Sequence, residues 1–198
     1  MRTVAALLVI LGLTLAALPG LAAPQVEIIK VPFAEMTMNP NNLLSQQPFE
    51  REGGGYHYYQ GTINPAPFGL TDALSATEPA DILVFHLGAP RFDLGRPPRE
   101  RELQKIVIWW ALAQAGRCAL DVKFQVHDFT TGEWQDITDS IHHDFPPEAG
   151  MAGCLTLTFP PGEVKNFDSL RVIDNRILNK AAGTGWIEIE AYAWPHSR

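Results

Sequence analysis

Between Leu120 and Asp128 the sequence alternates without a break: Leu120, Val122, Phe124 and Val126 are apolar, and Asp121, Lys123, Gln125 and His127 between them are polar. A period of two puts one set on each side of an extended chain, which describes a strand with one buried face and one wet face. The same beat recurs elsewhere. Ile106, Ile108 and Trp110 share a face within residues 102–110, and Leu155, Leu157 and Phe159 alternate with Thr156 and Thr158. In the closing run, 186–194, Ile187, Ile189, Ala191 and Ala193 oppose Glu188, Glu190 and Tyr192, with Trp186 and Trp194 on the Glu188 side. Shorter runs at 81–87, 91–94, 134–138 and 170–174 complete the set, and Thr130-Thr131-Gly132 turns the chain between two of them. Strands broken at intervals of about ten residues, without intervening helices, disfavour a parallel α/β architecture and predict an all-β antiparallel sandwich over residues 70–198.

Residues 24–69 read differently. Asn39-Pro40-Asn41-Asn42, Gly53-Gly54-Gly55 and Asn64-Pro65-Ala66-Pro67 punctuate them so heavily that an irregular arm lying against the sandwich is expected, with one short strand at 26–31. Residues 1–23 carry Arg2, an apolar run from Val4 to Leu18, then Pro19-Gly20 and small residues. That is the layout of a secretory signal peptide, and its run is shorter than the roughly 20 residues of a permanent bilayer span. The expectation is a secreted or periplasmic mature chain. Export in turn predicts that Cys118 and Cys154, the two cysteines present, close a structural disulfide, since one intramolecular pairing is available and no C-x-x-C spacing occurs.

A formal net charge of -7 argues against nucleic acid as a partner, because duplex affinity rests on Lys and Arg neutralising phosphates. No G-x-S-x-G occurs and no nucleophile context is recognisable, so the chain is not expected to be an enzyme. Glu188 and Glu190, two residues apart on a strand, have a spacing compatible with glycoside hydrolysis, but a solvated face is the expected reading. His142-His143-Asp144 offers metal-type ligands without H-x-H or H-x-x-x-H spacing, and is expected to be a solvated loop. Aromatic and polar loop residues make the stronger case. Tyr58 and Tyr59 follow the glycine triplet, Trp186 opens the last strand, and Asn175-Arg176 offers a polar fork, a set suited to stacking on and hydrogen bonding to a sugar. The competing role for the same rings is to pack the arm onto the sandwich. Two functions therefore stand: a non-catalytic carbohydrate-binding module, or a protein-interaction or assembly module of the cell envelope with an envelope protein as partner.

Phe92-Asp93-Leu94-Gly95, Ile106-Val107-Ile108, Phe124-Gln125-Val126 leading to Thr131-Gly132-Glu133-Trp134, Thr156-Leu157-Thr158-Phe159-Pro160, Ser169-Leu170-Arg171-Val172 and the run from Trp186 to Tyr192 follow one another in an order that resembles the discoidin, or coagulation factor 5/8 type C, modules of the galactose-binding-like superfamily. The resemblance covers about half of the chain. It implies a jelly-roll-like sandwich that binds glycans, lipids or proteins through loops at one end, often with a structural calcium ion. For that ion it implies Glu188 as a carboxylate ligand, with Asp72 as companion. The aspartate-glycine signature of the family is missing, since Asp72 is followed by Ala73.

Overall fold

The computed structural model describes residues 23–45, 47–52, 56–58, 83–85, 89–95, 101–112, 116–175 and 184–195, with backbone alone for 51–52, 56–58 and 83–85. Among these, two antiparallel sheets form a sandwich. Sheet A runs in the order β1 (Gln25–Pro32), β10 (Met151–Thr158), β6 (Leu103–Ala111), β12 (Gly185–Ala193), β4 (Leu83–Phe85), β3 (Tyr56–Tyr58). Sheet B runs β2 (Phe49–Glu52), β5 (Ala89–Asp93), β11 (Phe167–Asp174), β7 (Ala119–Asp128), β8 (Glu133–Asp136), and β9 (Ile141–Asp144) also pairs with β7.

The alternating residues meet between the sheets. Leu120, Val122, Phe124 and Val126 of β7 face Ile106, Ile108 and Trp110 of β6 within one buried cluster, joined by Leu155, Leu157, Leu170 and Val172. Each side chain is removed from water on one face only, which is what the period of two encodes. The β7–β8 turn is made by Gly132 at φ +75°, a conformation that costs glycine nothing, with Asp128 Oδ1 accepting from Thr130 N at 2.6 Å.

Several expectations are corrected. The arm is not irregular throughout, because β1, β2 and β3 are strands of the two sheets; their backbone groups find partners in β10, β5 and β4. Residues 141–144 are a strand and not a loop, since pairing with β7 sets His142 opposite Asp121. In β12 a register shift between Trp186 and Glu188 moves Trp186 into the inter-sheet core and sends Ile187 to the other face.

That other face is also covered. Val107, Trp109, Ala111, Ala152, Cys154 and Ile187 form a second cluster on the outside of sheet A, packed under Val31, Phe33, Met36, Met38 and Tyr192. Leu43 N donates to Ala191 O at 2.7 Å, and Leu44 beyond it is fully buried in the inter-sheet core. Residues 33–44 are thus a strap across the sheet.

The strap and the two layers decide the cysteines. Cys118 lies in the inter-sheet core, its Sγ donating to Leu112 O at 3.2 Å, and Cys154 lies in the outer cluster. The structure contains two thiols and no bond between them. Cys118 immediately precedes β7 of sheet B, and Cys154 lies within β10 of sheet A. Burial pushes the Cys154 thiol up to about 11. A reagent that needs the thiolate is therefore met by a protonated, covered sulfur. Iodoacetamide at pH 8 is expected to leave both sulfurs unmodified in the native chain and to add to both after unfolding without reductant. Mass spectrometry reads the result, and an unfolded chain with no adduct would restore the bond.

Candidate ligand-binding face

The residues expected to bind ligand are dispersed by the fold. Trp186 is fully buried and faces the core, so it is not a binding surface. Tyr58 ends β3, of which the backbone alone is described, and Tyr59, Arg176 and Asp72 lie outside the described residues. Asn175 stands at the end of β11, where its Nδ2 donates to Asp121 Oδ1 at 2.9 Å and to Ser140 Oγ at 3.1 Å. His142 stands beside the same aspartate, with Nδ1 3.7 Å from Asp121 Oδ2 and Nε2 3.1 Å from Asp144 Oδ2.

Glu188 and Glu190 are both buried, at 0% and 2% exposure, so neither a solvated face nor a hydrolytic pair describes them. The strap closes this part of sheet A. Glu190 accepts from Trp109 Nε1 at 3.1 Å, from Asn39 N at 3.3 Å and from the Tyr192 hydroxyl. Burial, then the bond to Glu190, holds the Tyr192 phenol well above its ordinary range. Among the described residues no three His, Cys, Asp or Glu side chains converge as a metal site requires. Calcium asks for six or more oxygens, so Glu188 in its strand does not fit that role with the donors described.

What the fold assembles instead is the outward face of sheet B. Register defines its rows. His127 lies opposite Trp134 on one side and Ser169 on the other. One step along, Glu50, Arg91, Arg171, Gln125 and Asp136 lie in line across five strands. Trp134, half-buried, meets the His127 ring edge to face at 5.4 Å, and the Arg171 guanidinium lies 4.0 Å from its ring centre. Arg171 Nε donates to Gln125 Oε1 at 2.6 Å, and Gln125 Nε2 to Asp136 Oδ1 at 2.6 Å. Lys123 Nζ lies 2.5 Å from Asp136, which holds that carboxyl below its usual range. His127 Nδ1 lies 2.7 Å from Asp168 Oδ1, which also accepts from Ser169 Oγ at 3.1 Å. Arg91 pairs with Glu50.

The face is thus a planar array of amide, guanidinium, imidazole and carboxylate groups around one indole, each group fixed by a neighbour before any ligand arrives. Such an array offers paired donors and acceptors to hydroxyls beside a part-exposed indole that carries the Arg171 guanidinium over its ring. The sequence reading missed Trp134 as a candidate. Its signal was present: the turn at 129–132 sets the hairpin register, and counting back from it places Trp134 against His127.

Elsewhere on the surface, Val26 and Ile29 are the exposed large apolar side chains among the described residues, both on the edge strand β1. An odd spacing sends them to opposite sides of the strand, and they do not merge into one patch. No helix among the described residues is long and apolar enough to cross a membrane.

No protein-family model and no curated protein matches the sequence. Among solved structures, the chain is similar to a fucose-binding module of Streptococcus pneumoniae, with TM-score 0.47 and 11% identity over 77% of this chain and 95% of that one. It is also similar to the C-terminal domain of a chitobiase from Bacteroides fragilis, with TM-score 0.45 and 9% identity over 78% and 99%. A third is CBM32-1 from a family 31 glycoside hydrolase of Clostridium perfringens, with TM-score 0.42 and 10% identity over 74% and 96%. These likenesses concern the arrangement of strands and leave open what this chain binds.

Proposed function

We propose that this chain is an exported, non-catalytic carbohydrate-binding module whose glycan lies along the outward face of sheet B, over Trp134. The observation that carries the reading is the pre-arranged array around that indole: Arg171 at 4.0 Å, His127 at its edge, and the Gln125–Asp136–Lys123 chain in the next row. Carbohydrate is the ligand class that pairs closely spaced hydroxyls with an apolar ring face, and the array offers a counterpart to both. The outward residues of β7 from Asp121 to His127 extend this surface for about 20 Å at roughly 3.3 Å per residue, enough for a chain of several sugars.

Affinity electrophoresis through gels containing xylan, galactan, galactomannan or mixed-linkage glucan tests it. Retardation by at least one polysaccharide is expected, and Trp134→Ala is expected to weaken it about 30-fold, the effect of losing a central aromatic anchor. Melting should change little, because Trp134 is half-buried at the edge of the sheet. Unretarded migration in all four gels, together with co-purification of a stoichiometric envelope protein, would replace this reading with the interaction module.

A further inference from the structure

Around the edge of β8 from Trp134, on the opposite side of the strand, a cleft of about 210 Å³ lies between β7–β8 and the segment 163–166. Its floor is made by Val126, Ile137 and Val164, which are 2%, 7% and 4% exposed. Asp128, Gln135, Glu163, Lys165 and Asn166 complete its lining.

Two features set this cleft apart from a packing fault. Asn166 has φ +58°, the left-handed region, and is the non-glycine residue found there among those described. Its backbone is pinned on both sides, N donating to Arg101 O at 3.1 Å and O accepting from Phe129 N at 3.0 Å. The side-chain amide meanwhile has no hydrogen-bond partner among the described residues. Gln135 Nε2 donates to Asp128 Oδ2 at 3.1 Å, which orients the Gln135 amide and leaves its oxygen as an acceptor. An aliphatic floor beneath side-chain amides is the make-up of a small-molecule site, where apolar contact supplies affinity and a few polar groups supply orientation.

We infer that the cleft takes a single neutral sugar ring, the terminal or branching residue of a glycan whose neighbouring units lie over Trp134. The inference rests on the carbohydrate reading above and adds to it a chain-end or branch specificity. A cleft of about 210 Å³ is on the scale of one pyranose ring. The ring's C–H face meets Val126, Ile137 and Val164, and its hydroxyls meet the Asn166 and Gln135 amides. Charge narrows the class further: Lys165 stands against Asp128 and Glu163, a net negative lining that disfavours uronic acids and phosphorylated sugars. Trp134 and Gln135 are consecutive on β8 and point to opposite sides of it, so one glycan bent round this edge touches both.

The test is a ¹⁵N-resolved NMR titration of the full mature chain with D-glucose, D-galactose, D-xylose and N-acetyl-D-glucosamine, with D-glucuronate as the anionic control. At least one neutral sugar is expected to shift the backbone amides of residues 164–166 and the side-chain amides of Gln135 and Asn166 saturably, and glucuronate is expected to leave them still. Asn166→Gly keeps a backbone that glycine adopts freely, and exposed Gln135→Ala provides a second folded variant. Each is expected to weaken the sugar about tenfold, the effect of one hydrogen bond. Retardation by polysaccharide that depends on Trp134, with no saturable shift at the cleft, would overturn the cleft and leave the glycan-binding face standing. Tighter binding of glucuronate than of the neutral sugars would overturn the class of ligand. Neither retardation nor shifts would overturn both.

Discussion

Gly153→Ala is expected to lower the melting temperature by about 6–12 °C, a large effect for a single methyl group. Gly153 lies opposite Trp110 in the β10–β6 register. A Cβ at Gly153 would stand 2.2, 2.3 and 2.6 Å from three atoms of the Trp110 indole, distances that force the indole to move. It has nowhere to go. Trp110 is fully buried, its Nε1 donates to Cys118 O at 2.8 Å, and its ring stacks on Phe145 at 5.9 Å. Overpacking of this kind costs about 3 kcal/mol. At roughly 2–4 °C per kcal/mol for a chain of this size, that is the shift given above. Glycine here is therefore a matter of space, and a variant melting within about 2 °C of the parent would show that the indole does not lie on this backbone.

Glu190→Ala is expected to rank second, at about 3 kcal/mol in a denaturant titration. The substitution removes the acceptor shared by Trp109 Nε1, the Tyr192 hydroxyl and Asn39 N, and the buried Trp109 N–H left without a partner carries its full desolvation cost. Glu190→Gln keeps one acceptor oxygen and is expected to recover about half of that loss. An Ala variant as stable as the parent would mean that the strap is not held by this carboxylate. The same network has a pH signature. Because the folded chain keeps the Tyr192 proton more tightly than the unfolded chain does, the contribution is complete below about pH 10 and is lost as pH rises beyond it. Stability should fall on the alkaline side, and less so in Tyr192→Phe.

The contrast between these two positions marks where a linear reading stops. The alternation of Leu120 to Val126 and of Ile106 to Trp110 identified the inner faces correctly, because burial on one side of a strand is a local property with a fixed period. The opposition of Trp109 to Trp110 follows from the same period, and the two indoles do sit in different clusters. By the same logic Glu188 and Glu190 were assigned to water, and there the inference failed. A polar residue on the second face is wet only if nothing lies on it, and residues 33–39, far away in sequence, lie on that face. The shift between Trp186 and Glu188 then exchanged the facing of Trp186, an effect of one extra residue that no period can reveal.

The candidate site divides in the same way. Each polar residue on the outward side of β7 was legible as outward, yet Trp134, Arg171 and Asp136 gained meaning only from register, which aligned five separate strands into rows. His142-His143-Asp144 was read as a loop because three consecutive polar residues carry no alternation; pairing with β7 makes 141–144 extended, with Ile141 packed against the inter-sheet core.

By itself the amino-acid sequence determined the class of the fold and the side of most strands that faces the core, since both depend on the period of side chains along an extended backbone. Tertiary structure alone decided which strands share a sheet, whether the two thiols come together, what covers the outside of sheet A and which polar groups form a surface. Those outcomes depend on contacts between residues from tens to more than a hundred positions apart, and the local pattern contains no term for them.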